Sequence, residues 1–383
     1  MPSFLSLFQS IYSRDPRPTR FARLLRTFGD VTICALGSEN EARLDGMGFI
    51  PLASRPKTVP AQIFRAGSLL ARLYERDIWN PSLQAAFAAL GNTPYACIVC
   101  HDLELLPLAC ALREKTHNKT RCKIIMDARE FYPRQFEDRM AWRLLLGGVN
   151  DYLCKRYMPQ ADLVFTVSPG LRQGYAEQYG VQCTVLPSYS PYAKMEPHAT
   201  PASAVRCVHH GGAMPGRRLE MMIEAVRLLD GRFCLDFMLA PTTPGYLDAL
   251  KQRAAGIPSI SFRDPVPMAD IVPNIAAYDV GVYLLPPSNF NHRHALPNKL
   301  FECIQARLAV AIGPSPDMAS LVKEHGIGVV SEDFTPQSFA DILSRLRPED
   351  IDRFKANSHA AAESLCWERN DEAVARILHG LLA

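Results

Sequence analysis

The sequence predicts an α/β protein of two domains with mostly parallel sheets. Short apolar runs alternate with amphipathic runs along nearly all of its 383 residues. Such alternation is typical of parallel strands joined by helices. A chain of this length is too long for one typical core and sufficient for two. Residues 188–203 are rich in Pro, Ser and Ala and show no periodicity, which indicates an interdomain linker.

Each half contributes its own series of candidate strands and helices. In the first half, a strand is expected before Ser13, and further strands at 31–36, 95–100, 122–127, 162–167 and 183–187. Helical runs at 63–75, 105–115 and 141–157 lie between these strands. In the second half, the strands are 204–210, 233–239, 259–262, 280–285, 308–313 and 327–330. Helices are expected from about 218, near 246–255 and from 336 onward.

Composition predicts a folded cytoplasmic protein. Its 48% hydrophobic and 21% charged residues are ordinary for a globular chain. No apolar run approaches the ~20 residues that span a bilayer, and the N-terminus lacks a convincing leader. The eleven cysteines lie mostly in apolar runs, which favours reduced core thiols over disulfides. Cys97 and Cys100 have metal-like spacing, but a strand would point them to opposite faces.

The charge distribution leaves the partner of the first half open. Residues 1–190 hold 23 Lys and Arg against 17 Asp and Glu, within a chain of net charge +3. This excess suits an anionic acceptor or peripheral contact with the inner membrane, and also a merely solvated surface. Arginines at every third position from Arg14 to Arg26 indicate a partly solvated helix face. We expect no nucleic-acid partner.

Two segments of the second half predict a nucleoside-diphosphate site. In LPNKLFE (296–302), Lys299 and Glu302 lie one helical turn apart and share a face. In GGAMPGR (211–217), small residues and Arg217 separate an apolar run from an amphipathic one. Backbone amides at such a helix start, together with a guanidinium, hold phosphate oxygens. A nearby carboxylate accepts hydrogen bonds from ribose hydroxyls.

The order of these motifs resembles that of GT-B glycosyltransferases, and specifically the retaining family 4 (glycosyl transferases group 1). The resemblance runs over essentially the whole chain and is strongest from Val208 to Val330. There, ALPNKLFECIQARLAVAIGPSPDMASLVKEHGIGVV is similar to the donor-binding segment, and HGGAMPGRRLEMMIEAVRLL to the glycine turn and its helix. In the first half, HDLELLPLACALR, KIIMDAREFYP and ADLVFTVSPGLRQGYAEQYGV follow the family's order.

The resemblance implies two Rossmann-like α/β domains that face each other across a cleft. Residues 1–187 would form the acceptor-side domain, and 204–363 the domain that binds the sugar nucleotide. Residues 364–383 would form a C-terminal helix that crosses back to the first domain.

The resemblance also implies donor-site roles. Glu302 would bind the ribose hydroxyls, and Arg217 and Lys299 would act as catalytic cations near the diphosphate. The phosphate cradle, the nucleobase loop and the sugar contact add further donor-binding positions, which are Gly211, Gly212, Val266, His294, Pro297 and Asn298. His294 stands where the family often has a glutamate, eight residues before Glu302, so an altered sugar preference is expected.

The acceptor side is specified less sharply. Arg129 stands where the family commonly has a histidine, and it is the third expected catalytic cation, although it cannot act as a base. Four further acceptor-side candidates are Arg14, His101, Asp127 and Glu130. Asp127 and Glu130 are the carboxylates available as a base, and the favoured alternative for each is a strand-end acid that caps the following turn. For His101, a capping or packing role is favoured over contact with acceptor or donor.

These features predict an enzyme that moves a sugar from a nucleoside diphosphate to a saccharide or lipid-linked acceptor. The resemblance implies retention of configuration, no metal or other cofactor, and a role in bacterial surface-polysaccharide assembly, with UDP-sugar favoured over GDP-sugar as co-substrate. Residues 350–352 (DID) resemble a metal-binding acidic triplet but lie in a charged helical segment. Two alternatives stay open. One is an inactive scaffold or regulatory subunit, favoured by Arg129 and His294, and the other is a sugar-nucleotide epimerase of the same fold.

Overall fold

The structure is a computed structural model that describes residues 1–37, 45–56, 58–115 and 122–382. The chain divides into two compact units. The first unit contains Met1–Pro187, Asn289–Asn291 and Asp371–Ala383, and the second contains Ser188–Ser288 and His292–Asn370. The final residue of the expected C-terminal segment, 383, lies outside the described residues.

The first unit is built on a seven-stranded parallel sheet of order β3-β2-β1-β4-β5-β6-β7. Its strands are β1 (Ser3–Ile11), β2 (Asp30–Leu36), β3 (Gly48–Pro51), β4 (Cys97–Cys100), β5 (Lys123–Ala128), β6 (Leu163–Thr166) and β7 (Thr184–Val185). Its helices are α1 (Pro16–Arg26), α2 (Val59–Leu70), α3 (Tyr74–Ile78), α4 (Pro81–Leu90), α5 (Leu106–Lys115), α6 (Met140–Trp142), α7 (Gly148–Tyr157) and α8 (Pro169–Tyr179). Central strands such as β4 are buried throughout, because helices cover both faces of a parallel sheet.

The second unit is built on a six-stranded parallel sheet of order β10-β9-β8-β11-β12-β13. Its strands are β8 (Val205–Gly212), β9 (Phe233–Ala240), β10 (Ile260–Arg263), β11 (Val280–Tyr283), β12 (Ala309–Ile312) and β13 (Gly328–Val330). The remaining helices of the chain are α9 (Glu220–Arg227), α10 (Tyr246–Ala254), α11 (Ile271–Ile275), α12 (Phe290–Arg293), α13 (Asn298–Gln305), α14 (Pro316–His325), α15 (Pro336–Ser344), α16 (Pro348–Ala362) and α17 (Trp367–Leu382).

Each sheet has one point at which the strand order reverses. In the first unit this point lies between β1 and β4, and in the second between β8 and β11. Crossovers on either side of such a point run to opposite faces, which leaves a crevice at the carboxyl ends of the two strands. The segments that follow β1, β4, β8 and β11 are therefore the places to look for function.

The predicted alternation of strands and helices is confirmed, with local corrections. The predicted helix 141–157 is interrupted by a π-helix at 143–147. Strand β3 was not predicted. The predicted helix 63–75 is instead two helices, because Arg72 has a φ of 56° between α2 and α3. Arg218 likewise has a φ of 51°, so α9 begins at Glu220 instead of near 218. The left-handed region costs a non-glycine residue free energy and ends a helix locally.

Residues 188–203 have no regular secondary structure, yet they are hydrogen-bonded within the second unit. The Ala193 carbonyl accepts from Arg307 Nη2 at 2.7 Å, and its amide donates to Gln305 Oε1 at 3.0 Å. The Thr200 amide donates to Asp352 Oδ1 at 2.8 Å. These bonds fix the segment along the second unit, so it does not behave as a free tether.

The cysteines and the helices agree with the expectations from composition. All eleven cysteines are free thiols, and all but Cys234 are buried, which confirms their assignment to the cores. Among the helices of the described ranges, none combines the length and the apolar character that a bilayer span requires.

A fully buried ion pair lies at the amino-terminal end of the second sheet. Lys355 Nζ on α16 lies 2.6 Å from Asp279 Oδ1, directly before β11, and neither side chain is more than 1% exposed. Asp279 Oδ2 also accepts from the amide of Arg206 at 2.8 Å. The pair thus joins α16 to the amino-terminal ends of β8 and β11, the two strands at the reversal point.

Replacing Lys355 with methionine is expected to lower the free energy of unfolding by about 3–5 kcal/mol, because Asp279 would remain buried without its cation. Urea denaturation followed by circular dichroism measures the loss. The control is Arg353→Met on the same helix, whose exposed pair with Asp350 should contribute less than about 1 kcal/mol. Equal effects of the two substitutions would contradict this account.

Candidate functional site

In the second unit, the candidate site forms around the carboxyl end of β8. Gly211 has a φ of 123°, a conformation that favours glycine. A Cβ at this position would lie 3.3 Å from Lys299 Nζ and 3.5 Å from Arg217 Nη1. Arg217 Nη1 also donates to the Gly212 carbonyl at 3.3 Å. The glycine turn therefore brings the Lys299 amine and the Arg217 guanidinium close to the backbone of Gly211 and Gly212, as an anion site requires.

Lys299 enters this site from the first turn of α13. It is 9% exposed, its Nζ lies 3.2 Å from His209 Nε2, and it stands 4.5 Å from the centre of the Tyr283 ring. Burial and the nearby Arg217 guanidinium hold the pKa of Lys299 well below its usual range, although Glu302 acts in the opposite direction. An anion bound beside the amine would raise the pKa of Lys299 back toward its usual range.

His209 fixes the position of the Lys299 amine. Its Nδ1 lies 2.8 Å from the Val282 carbonyl oxygen, which can only accept, so Nδ1 carries the proton. Nε2 is then free to accept from Lys299 Nζ. Burial first, and then the Lys299 charge, hold the pKa of His209 well below its usual value, which keeps the ring neutral. His209 thus acts as a neutral acceptor.

Glu302 lies one turn further along α13, where His210 holds it. His210 Nε2 is 2.6 Å from Glu302 Oε2, and the Glu302 side chain is 12% exposed. Sequence reasoning identified Glu302 but did not pair it with His210. Only the approach of α13 to the end of β8 shows that pairing.

The remaining donor-side positions lie in the same unit. Pro297 is the N-cap residue of α13 and Asn298 is the first residue of the helix. Val266 packs against the second unit's core in the loop after β10. His294 Nδ1 lies 3.0 Å from Asp317 Oδ2 in the first turn of α14. Asp317 was not predicted, and it places a carboxylate within reach of the position that the family often fills with glutamate.

In the first unit, Asp127 lies in a buried charge cluster at the end of β5. Arg17 Nη2 is 2.6 Å from its Oδ1, and His101 Nδ1 is 2.8 Å from its Oδ2. Burial raises the pKa of Asp127, but Arg17 and His101 overcome that effect and lower the pKa below its usual range. Arg17 is only 4% exposed, so the predicted solvated face of α1 does not include it. This geometry favours the alternative in which Asp127 organises its own strand end.

His101 follows β4 and is fully buried, with its Nε2 atom lacking a hydrogen-bond partner among the described residues. Its ring packs edge-on against Phe8 and Phe21. The packing role that the sequence left open is therefore present. Contact between His101 and a substrate stays a prediction.

Arg129 lies between two carboxylates at the reversal point of the first sheet. Its guanidinium is 2.7 Å from Asp15 Oδ2, after β1, and 3.1 Å from Asp102 Oδ1, after β4. Glu130 is partly buried, which raises the pKa of its carboxyl group. Arg14 is exposed on the turn after β1. In its predicted catalytic role, Arg129 would have to bind a phosphate in competition with the Asp15 and Asp102 carboxylates.

Within the described ranges, no group of three or more His, Cys, Asp or Glu side chains could hold a metal ion. Asp350 pairs with Arg347, the N-cap residue of α16, and with Arg353 on that helix, whereas Ile351 between the two acids is fully buried. Metal independence itself stays a prediction.

Neither a protein-family profile nor a curated protein sequence matches this chain. Solved structures do match. A glycosyltransferase from Rickettsia africae is 12% identical with a TM-score of 0.70, covering 100% of this chain and 98% of its own. Anabaena HepE in complex with UDP and glucose is 13% identical with a TM-score of 0.72, covering 99% and 100%. Sucrose-phosphate synthase from Thermosynechococcus elongatus is 12% identical with a TM-score of 0.73, covering 100% and 99%.

The chain has a GT-B fold. The matches extend over essentially the whole of both chains and include both sheets. The fold expected from the resemblance is thereby confirmed, whereas membership of family 4 stays a prediction. At 12–13% identity, the GT-B architecture has persisted while most residues differ.

The ionised Asp127 is expected to make the first unit sensitive to acid. Because its folded pKa is lowered, its contribution to stability is present above the ordinary aspartate pKa of about 4 and is lost as pH falls further. Urea unfolding of wild type and Asp127→Asn between pH 7 and pH 2.5 measures this. The variant should be less stable at pH 7 and lose less stability on acidification.

The control for this measurement is Asp30→Asn in the same unit. The Asp30 side chain is 69% exposed, and its pair with Arg26, at 3.7 Å, is a weak surface ion pair. This variant should retain the wild-type dependence on pH. If the free energy of unfolding of Asp127→Asn depends on pH as that of wild type does, the proposed charge cluster is contradicted.

Proposed function

We propose that this protein is a glycosyltransferase that takes its sugar from a nucleoside diphosphate. The observation that carries the proposal is the cluster at the end of β8, where Arg217 and Lys299 flank the backbone of Gly211 and Glu302 lies one helical turn away. Two basic side chains beside the Gly211 backbone suit a diphosphate, and a carboxylate 12% exposed suits ribose hydroxyls.

The chemistry follows from the charge that develops when the sugar–phosphate bond breaks. Arg217 and Lys299 stabilise the departing diphosphate, and the amino-terminal end of α13 adds its dipole. Removing one such donor typically raises a barrier by about 3 kcal/mol. These groups supply the stabilisation without a metal, and we propose that the enzyme uses none. Retention of configuration is part of the same proposal, with the phosphate oxygen assisting the incoming hydroxyl.

We propose UDP as the carrier, ahead of GDP. Support comes from Anabaena HepE, a structural neighbour solved with UDP and glucose and with UDP-glucose. The proposed acceptor is a saccharide or a lipid-linked saccharide, and the proposed setting is bacterial surface-polysaccharide assembly at the inner face of the membrane. His294 and Asp317 are the side chains we propose to select the donor sugar.

Binding of UDP, GDP and UDP-glucose by calorimetry tests the donor site. Wild type should bind one nucleotide family, and Glu302→Gln should weaken its binding by about tenfold or more, because a charged hydrogen bond to ribose is lost. Glu324→Gln on α14 is the control, since Glu324 is exposed and outside the site. Binding that is absent from wild type, or unchanged in Glu302→Gln, would overturn the assignment.

Nucleotide affinity is expected to fall as pH rises, and Lys299 is the cause. In the free protein, the pKa of Lys299 lies well below its usual range. A bound diphosphate favours the charged amine, so we expect nucleotide binding to be linked to proton uptake. Calorimetry in buffers of different ionisation enthalpy measures this uptake between pH 6 and pH 9. In Lys299→Met the Lys299-linked uptake should disappear and UDP should bind more weakly.

The control for proton uptake is Lys323→Met on α14, an exposed lysine that should leave both the affinity and the uptake unchanged. Identical proton uptake in wild type and Lys299→Met would contradict the role given to the lysine.

A further inference from the structure

The first unit contains a large cavity that the donor chemistry does not use. Its volume is about 980 Å³, at the upper end of the range for small-molecule sites. Helix α2 forms one wall, through residues such as Ile63 and Ala66. The segment from Arg139 to Leu146 forms another wall. Most of the lining side chains are aliphatic or aromatic, so hydrocarbon fits the cavity better than a sugar does.

One end of the cavity reaches the carboxyl edge of the first sheet. Gln9 and Glu104 line it there, and the backbone N–H of Gln9 donates to Asp102 Oδ2 at 2.7 Å. Asp102 in turn accepts from Arg129. The cavity wall at Gln9 is therefore hydrogen-bonded to Asp102, a member of the cluster at the reversal point of the sheet, where the acceptor-side candidates lie. A molecule whose polar end lies at Gln9 and Glu104 would be next to that cluster.

The charged groups along the polar part of the wall neutralise one another. Arg55 lies 2.9 Å from Asp77 and 3.5 Å from Glu104, and Arg65 lies 3.1 Å from Asp77. Two arginines thus face two carboxylates. This balanced, hydrogen-bonding surface suits an uncharged saccharide better than a free anion.

Helix α2 and the segment 139–146 also carry apolar side chains that reach into solvent. On α2, Val59 and Ile63 are 68% and 67% exposed. On the facing segment, Met140 and Leu144 are 61% and 64% exposed. Exposed apolar side chains that flank an apolar cavity mark an interaction site. The segment 143–147 is a π-helix, a helical irregularity that is frequent at functional sites.

Two arginines give this apolar region a positive charge. Arg139 lines the cavity, and Arg143 donates to the sulfur of Met140 at 3.1 Å. Within the described part of the chain, neither arginine forms an ion pair with a carboxylate. The region therefore combines hydrocarbon-binding surface with uncompensated cations, which is complementary to a lipid phosphate.

We propose that the acceptor is a saccharide linked through phosphate to a lipid, and that its hydrocarbon chain occupies this cavity. This assignment rests on the proposed transferase function. The sugar lies at the Gln9 and Glu104 end, the phosphate contacts Arg139, and the chain runs between α2 and the Trp142–Leu146 wall. Recognition of the lipid would then select the acceptor separately from the donor site.

The experiment measures the binding of methyl, octyl and decyl glucosides to the full-length protein by calorimetry, below their micelle-forming concentrations. Burial of each methylene should tighten binding by up to about fourfold. Decyl glucoside should therefore bind about tenfold tighter than octyl glucoside, and methyl glucoside should bind barely at all. Equal affinities for the three probes would overturn the proposal.

Two pairs of variants locate the binding. Ile63→Asp should abolish the gain from chain length, whereas Leu70→Asp should not, because Leu70 is 63% exposed on the same helix but does not line the cavity. Ala66→Phe should fill the cavity, whereas Gly67→Phe points into open space. Equal effects within both pairs would show adsorption to the surface and overturn the assignment.

Measurements with vesicles and with UDP distinguish this proposal from membrane docking and from the transferase assignment. Binding to phosphatidylglycerol vesicles without any binding of the monomeric glucosides would indicate membrane docking and would overturn the cavity assignment. UDP binding is measured on the same samples, and none of the four variants should alter it. If UDP binds and chain length has no effect, only the cavity proposal fails. If chain length matters and UDP does not bind, the hydrocarbon site stands and the transferase assignment fails.

Discussion

Parallel strand pairing is the constraint on which the candidate sites depend. Strands that run in one direction need a crossover for each connection, and these crossovers leave every carboxyl end at one edge of the sheet. Both sheets also reverse their strand order once, between β1 and β4 and between β8 and β11. Within each sheet, the polar segments after the two strands at the reversal point therefore lie close together although they are far apart in the chain. The cluster around Gly211 in the second unit and the Arg129 cluster in the first unit are two results of the same topology.

Each cluster must compensate charge that the fold has partly removed from water. In the second unit, neutral His209 accepts from Lys299, and His210 holds Glu302, so both α13 side chains are oriented before any ligand binds. In the first unit, Asp127 is fully buried and is compensated by Arg17 and His101. The first arrangement leaves a cation with a depressed pKa that an anion would restore. The second leaves a carboxylate whose interactions are already complete, which suits support better than catalysis.

The two units also differ in the kind of ligand that they suit. The second unit concentrates cations and backbone around one glycine turn, a small polar arrangement for a compact anion. The first unit combines a balanced polar edge with a large apolar cavity that Arg139 lines, and with Arg143 on the same segment. A donor and an acceptor of contrasting chemistry would suit such a division. The apolar walls of the first unit also offer a physical reason for the exposed hydrophobic side chains on α2, which a helix packed only on its own core would not need.

Local periodicity and spacing were sufficient to predict the alternation of strands and helices, the glycine turn and the position of Lys299 and Glu302 on one helix face. They did not predict that Arg72 and Arg218 would adopt left-handed conformations, since tertiary context decides where a non-glycine residue accepts that cost. The partners of the site residues became visible only in the folded chain. The tertiary structure brought His210 to Glu302, Arg17 to Asp127 and Asp317 to His294 across 92, 110 and 23 residues. Pairings of that kind arise from how helices and strand ends pack, and no local pattern encodes them.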